Sequence, residues 1–168
     1  GGRGAGQSYF DYVRDHIYKP AGMTRTASDP EDGPVDDRAI GYMKDGDALK
    51  PNTETLPYRG TSAGGGYTTV EDLLRFANAL TQHKLLNEHY TELLTTAKPE
   101  TGDANYAYGF EDKVVRGVRS FGHSGGAPGM NGDLLIFPQT GYVVVALANM
   151  DRGAQRAASW ISERLPAQ

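Results

Sequence analysis

The residues best equipped for chemistry lie in one short run, Phe121-Gly122-His123-Ser124-Gly125-Gly126-Ala127-Pro128-Gly129. An imidazole, a hydroxyl and glycine backbone N–H groups stand side by side there, the group types used for proton transfer and for stabilising an oxyanion. Gly122 to Gly126 also fits G-x-S-x-G, the elbow that holds a nucleophilic serine on a sharp strand-to-helix turn. An elbow needs a helix directly after it, and Gly125, Gly126, Pro128, Gly129 and Gly132 would break one. Its triad also places a histidine after the serine, whereas His16, His83, His89 and His123 all precede Ser124. Both requirements fail. Taken alone, a glycine-rich strand start with a half-buried histidine explains the run at least as well.

Other candidates are weaker. Gly64-Gly65-Gly66 precedes a helix and could cradle phosphate, but no Gly-Lys-Ser/Thr follows, and a tight turn into the helix explains it better. Asp29, Glu31, Asp32, Asp36 and Asp37 match no calcium-loop spacing and read as a solvated acidic loop. His83 and His89 lack zinc-ligand spacing, and with no cysteine there is neither a disulfide nor a thiolate. No metal or organic cofactor is implied.

Composition narrows the partners. The chain has 168 residues, 38% hydrophobic and 23% charged, with a net charge of -4. A chain of this length can bury roughly 70% of its unfolded surface, so a real core is within reach. No cluster of Lys and Arg forms a stripe, which argues against nucleic acid and anionic membranes. No apolar run approaches the ~20 residues of a membrane span, and the first residues do not read as a secretory signal.

The elements that must hold the glycine-rich run follow from caps and periodicity. Residues 1–7 read as a linker or cloning remnant. Ser8 caps a helix with Tyr9, Val13 and Ile17 on its apolar face, stopped by Pro20 and Gly22. Ser28 to Arg38 is an acidic, turn-rich loop, followed by irregular chain with a short strand near Ile40 to Met43. Thr69 and Asp72 have capping-box spacing, before Val70, Leu73, Leu74, Ala77 and Leu80 at helical intervals. A second helix spans Glu88 to Thr95 and carries Leu93 and Leu94. The period then becomes strand-like over Tyr106 to Val118, Asp133 to Phe137 and Tyr142 to Asn149, with a four-residue connection at Pro138 to Gly141. Ala154 to Leu165 closes as a helix presenting Ala157, Trp160, Ile161 and Leu165 to the core. Helices, three antiparallel strands and a last helix make an α+β fold.

Several segments, taken in order, resemble β-lactamase-related serine hydrolases, the family of class C β-lactamases, D-alanyl-D-alanine carboxypeptidases and esterases. They are Lys19-Pro20-Ala21-Gly22-Met23, Ala63-Gly64-Gly65-Gly66-Tyr67-Thr68-Thr69, Tyr108-Gly109-Phe110, Gly122 to Gly129, and Ala148-Asn149. The resemblance covers nearly all of the chain from Ser8 onward. It implies that residues 8–168 are the C-terminal part of one β-lactamase/transpeptidase-like domain with an antiparallel sheet. It implies that His123-Ser124-Gly125 is the strand triplet lining one wall of the active site. His123 would assist proton transfer or bind a substrate carboxylate, Ser124 would hydrogen-bond substrate, and Gly125 would let substrate lie against the strand. The N–H of Gly126 would form half of the oxyanion hole. A periplasmic or secreted setting follows from the same resemblance.

The family's nucleophile motif, S-x-x-K, is absent, because no serine here has a lysine three residues on. Thr81 with Lys84 and Thr95 with Lys98 only imitate it, and no Tyr-x-Asn or Ser-x-Asn occurs. In complete members both elements precede the segment resembling Gln7 to Tyr12. The chain therefore reads as a truncated serine hydrolase acting on a small-molecule substrate, whose exposed sheet edges favour self-association or a domain swap. The alternatives are a non-catalytic β-lactamase-like binding module and, behind it, an α/β-hydrolase using Ser124.

Overall fold

In the computed structural model, which describes residues 6–166, Ser8 has extended backbone and its hydroxyl accepts the Asp11 N–H at 3.1 Å. The cap starts α1 (Tyr9–Val13), which runs through a π-helical turn (Arg14–Tyr18) into α2 (Lys19–Ala21). Pro20 sits inside α2 and does not stop it. The wide π turn just before it relaxes the hydrogen bonding that a proline's missing N–H would otherwise break. Gly22, left-handed at φ 74°, ends the helix. The glycine-rich opening read as a linker lies largely outside the described residues.

The chain packs as two units, Gly1–Arg38 with Leu56–Asn87, and Ala39–Thr55 with Glu88–Gln168. In the first, Thr69 accepts the Asp72 N–H at 3.2 Å and caps α3 (Val70–Thr81). The reciprocal half of the expected capping box does not form. Fully buried Asp72 accepts instead from the Arg25 N–H at 2.7 Å, the Thr26 hydroxyl at 2.8 Å and Arg75 at 2.6 Å. Burial alone would raise the Asp72 carboxyl, but these three donors together hold it below the ordinary carboxylate range. One carboxylate thus ties α3 to the segment after α2. The buried side of α3 is Asp72, Ala77, Ala79 and Leu80, whereas Val70 and Leu74 are exposed, so the expected apolar face is only partly the packed one.

In the second unit a hairpin of β1 (Tyr42–Asp45) and β2 (Ala48–Pro51) takes the place of the single short strand expected near Ile40 to Met43 and the irregular chain after it. Gly46, at φ 61°, opens its tight turn. After α4 (Glu88–Thr95) come β3 (Glu111–Val115), β4 (Val118–Ala127), β5 (Met130–Phe137) and β6 (Tyr142–Ala148), antiparallel in that spatial order, and then α5 (Gly153–Ser162). The sheet has four strands where three were expected. Tyr106 to Val118 is not one strand: the chain reverses at Arg116 and Gly117, both at positive φ (49° and 83°), and the glycine-rich run is itself strand β4. On α4 the buried residues are Thr91 and Thr95, and Leu93 is exposed.

One face of the sheet packs on α5 around Phe137, Val144 and Ala158, with Val115, Val118, Leu135, Tyr142, Ala146 and Leu165 beside them. The buried stripe of α5 is Ala154, Ala158 and Ser162, not the expected Ala157, Trp160 and Ile161. Trp160 is 61% exposed. Small side chains at i, i+4 and i+8 let the helix backbone approach the sheet closely, and that close fit outweighs burying the larger residues.

Asp133 lies on this face, opposite Ser124 in the β4–β5 register, and is 9% exposed. Burial, and then the charge of Glu111, push its carboxyl up to about 6, against partial relief from Lys113, the Leu134 N–H and His123. An acid raised in this way from 3.8 favours the fold only while protonated. That contribution is complete at acid pH below the unfolded value and is lost as pH rises through about 6. Asp133→Asn should therefore gain stability at neutral pH, on the order of 2 kcal/mol, and little at acid pH. Urea unfolding on both sides of the transition checks this, and an equal effect at both would refute it.

Candidate active site

All four residues singled out from the sequence fall on the outer half of β4. β3 pairs with β4 only as far as Glu111 opposite Gly122, so on that edge His123 to Ala127 have no strand partner among the described residues. The other edge of the same stretch is fully paired with β5, from His123 opposite Leu134 to Ala127 opposite Met130. The result is a rigid strand with one open edge.

Glycine is required at Gly122, because an added Cβ would fall 1.8 Å from the Leu134 carbonyl oxygen. Around Gly125 the reverse holds. Nothing lies within 4 Å of a Cβ there, so the space beside the strand is free for another molecule. Gly126 is exposed and stands opposite Asn131. Buried Asn131 braces the segment: its Nδ2 donates to the Gly125 carbonyl at 2.7 Å, while its Oδ1 accepts the Gln155 N–H of α5 at 3.0 Å. That acceptance caps a helix whose N-cap residue, Arg152, makes no side-chain cap. The Pro128–Gly129 turn is held by Asn52 Nδ2 donating to the Pro128 carbonyl at 2.9 Å and by the Gly129 N–H donating to Asp151 at 2.8 Å.

His123 is exposed, and two contacts fix its ring. Nδ1 lies 2.5 Å from the Ser124 carbonyl oxygen and Nε2 lies 3.0 Å from the Tyr106 hydroxyl. A carbonyl only accepts, so Nδ1 carries the hydrogen; the neutral ring then accepts at Nε2 from Tyr106. The Tyr106 and His123 rings also meet edge to face, with centroids 5.8 Å apart. Strand alternation puts the Ser124 side chain on the opposite face from His123, on the side of Asp133, so only the Ser124 carbonyl joins the imidazole. Sequence reasoning missed Tyr106 and Asn131. A tyrosine just before a Tyr-Gly pair and a lone asparagine inside a strand carry no spacing signal.

The other candidates go elsewhere. β4 continues through Ser124 into a hairpin, with no helix after it, so the elbow geometry is absent. Thr81 donates its hydroxyl to the Ala77 carbonyl and Thr95 to that of Thr91, each at its own helix's backbone. Gly65 and Gly66 pack against backbone at Gly60 and Ala27. In the acidic loop, Asp29 accepts from the Tyr67 hydroxyl, Glu31 pairs with Arg38 and Asp37 with Arg25.

The second unit is thus an α+β arrangement whose strand β4, paired on one side, turns an open edge with a His-Ser-Gly triplet outward. The sequence model of the Beta-lactamase family matches residues 2–168, and the chain belongs to that family. It is 30% identical over 155 residues to the putative penicillin-binding protein PbpX of Bacillus subtilis, covering 90% of this chain and 37% of that protein. The crystal structure of a penicillin-binding protein from Bacillus halodurans superposes with a TM-score of 0.86 at 31% identity, over 96% of this chain and 51% of that one. The structure of the octameric penicillin-binding protein homologue from Pyrococcus abyssi gives a TM-score of 0.78 at 25% identity, over 92% and 36%. The chain thus spans between about a third and half of the length of these relatives.

The two glycines predict opposite behaviour. Gly122→Ala should cost about 3 kcal/mol or more through the clash with β5, and thermal melts should show it. Gly125→Ala should melt like the wild type. Equal melting of the two variants would refute the assigned close approach.

Proposed function

We propose that this chain supplies one wall of the active site of an acyl-enzyme serine hydrolase, and that the nucleophile comes from polypeptide outside these 168 residues. The open edge of β4 carries the reading: it presents His123, free space at Gly125 and backbone N–H groups to whatever lies alongside. In this role His123 moves a proton or holds a substrate carboxylate, and the Gly126 N–H faces the developing oxyanion. Ser124 borders the edge from the other face, where its hydroxyl meets a substrate that reaches around the strand. Substrates are β-lactams, D-amino-acid peptides or small esters, and a histidine in place of a lysine inclines the site toward peptides and esters. The absence of S-x-x-K, and coverage of 36% to 51% of the penicillin-binding relatives, support a nucleophile located elsewhere.

The same reading includes self-association. Leu147, Trp160 and Ile161 are exposed apolar side chains on β6 and α5, and β6 ends the sheet. An octameric relative gives this precedent.

Two measurements test the proposal. Intact-mass spectrometry after treatment with a fluorophosphonate should leave this chain unmodified, whereas a longer protein carrying S-x-x-K upstream gains one adduct; a stoichiometric adduct on Ser124 would overturn the assignment. Light scattering at increasing concentration should show species larger than the monomer, and a strict monomer would refute the association.

A further inference from the structure

Tyr106 does not reach His123 by chance of a floppy loop. Its carbonyl accepts the Lys98 N–H at 2.8 Å, its N–H donates to the Asp103 carbonyl at 3.3 Å, and it forms an isolated bridge with Glu111 at the start of β3. On either side, the Asp112 N–H donates to the Asn105 carbonyl at 2.8 Å and the Ala107 N–H to that of Phe110 at 2.7 Å. Ala107 is buried. The backbone that carries the phenol is therefore pinned before and after the residue, and it delivers the hydroxyl to one particular nitrogen, Nε2 of His123, at 3.0 Å. On the ring's far side the Ser124 carbonyl claims Nδ1.

We propose that Tyr106 is a positioning residue that, with the Ser124 carbonyl, locks the imidazole of His123 in one rotamer and in the Nδ1–H tautomer. The proposal rests on the reading of His123 as the residue of this wall that moves a proton or binds a carboxylate. Its consequence is specific. In the neutral ring Nε2 is the only nitrogen left to take up a proton, and the Tyr106 hydroxyl beside it aims that lone pair and fills it until substrate arrives. Tyr106 itself need not touch substrate. A histidine free to flip would present either nitrogen in either tautomer, and the open edge of β4 offers no other side chain to stop it among the contacts seen.

The test reads the ring directly. Long-range nitrogen–proton correlation spectra of the chain, recorded in alkaline buffer where imidazole is neutral, should show His123 protonated at Nδ1 and bare at Nε2. Tyr106→Phe, which keeps the aromatic ring and the Ser124 contact, should strip the donor from Nε2, shift that nitrogen's resonance and weaken the bias, while Tyr108→Phe leaves the spectrum unchanged. Protonation at Nε2 in the wild type, or a Tyr106→Phe spectrum like that of the wild type, would overturn the proposal. Should Tyr106→Phe fail to fold, 3-fluorotyrosine at position 106 serves instead. It keeps ring and hydroxyl but strengthens the donor, and it must shift the Nε2 resonance of His123; an unmoved resonance overturns the assignment. A separate arm uses the longer protein with its nucleophile, where Tyr106→Phe should lower kcat about tenfold and leave KM nearly unchanged. A locked tautomer in an inactive longer protein retains the positioning role and removes the hydrolase reading. An unlocked ring in an active one does the reverse.

Discussion

The bracing of β4 against β5 is the constraint on which the site depends, and Asn131 is where it concentrates. A strand with one open edge is a poor platform by itself, since half of its backbone hydrogen bonds are missing and nothing resists fraying. Here the closed edge compensates. Seven residues from Phe121 to Ala127 are registered on β5, and a buried amide reaches across to hold the Gly125 carbonyl while capping α5. The same side chain therefore sets the position of the strand and of the helix behind it. Removing it would leave the first turn of α5 without its side-chain acceptor and the glycine pair without its brace.

That arrangement explains why glycine is tolerated in so long a strand. Glycine weakens a strand through backbone entropy and lack of side-chain packing, yet Gly122, Gly125 and Gly126 fall within five consecutive residues of β4. Gly122 and Gly125 have different reasons to be there. Gly122 lets β5 come so close that any side chain would strike its backbone, whereas Gly125 leaves the outer side of the strand empty. The first is a demand of packing and the second leaves open space. The turn beyond is held by Asn52 and Asp151, so the entropic cost of the glycines is offset by polar anchors and not by an apolar core.

How much of this was legible in the sequence varies with the physics behind each feature. The α+β order, the caps at Ser8 and Thr69, the loop over Ser28 to Arg38 and the Pro138 to Gly141 connection were readable, because caps and turns act within a few residues. The strand count was not. Arg116 takes a left-handed conformation that its side chain does not advertise, and glycines in β4 hide a strand behind turn-like composition. The buried side of α5 was misjudged for a related reason: periodicity weights Trp160 and Ile161 by size, while the sheet selects Ala154, Ala158 and Ser162 for close approach. Asp72 shows the same limit, since a capping-box spacing cannot reveal that Arg25 and Thr26 will claim the carboxylate. His123 stands out in the sequence by its motif and Tyr106 does not, because their meeting depends on how the chain before β3 is folded back.

The division of labour along β4 follows from strand geometry more than from the identity of any one side chain. Alternation sends Ser124 toward Asp133 and the α5 side, where burial is high enough to raise a carboxyl, and sends His123 to the opposite face. Along the open edge the backbone stands between these two side chains, one on either face. Backbone N–H groups cannot change protonation state and barely move, so they suit an oxyanion that must be met in a fixed place. The imidazole of His123 is held from both ends, by the Ser124 carbonyl and the Tyr106 hydroxyl. Rigidity thus falls where direction matters, at the ring and the backbone, and the space at Gly125 is left open.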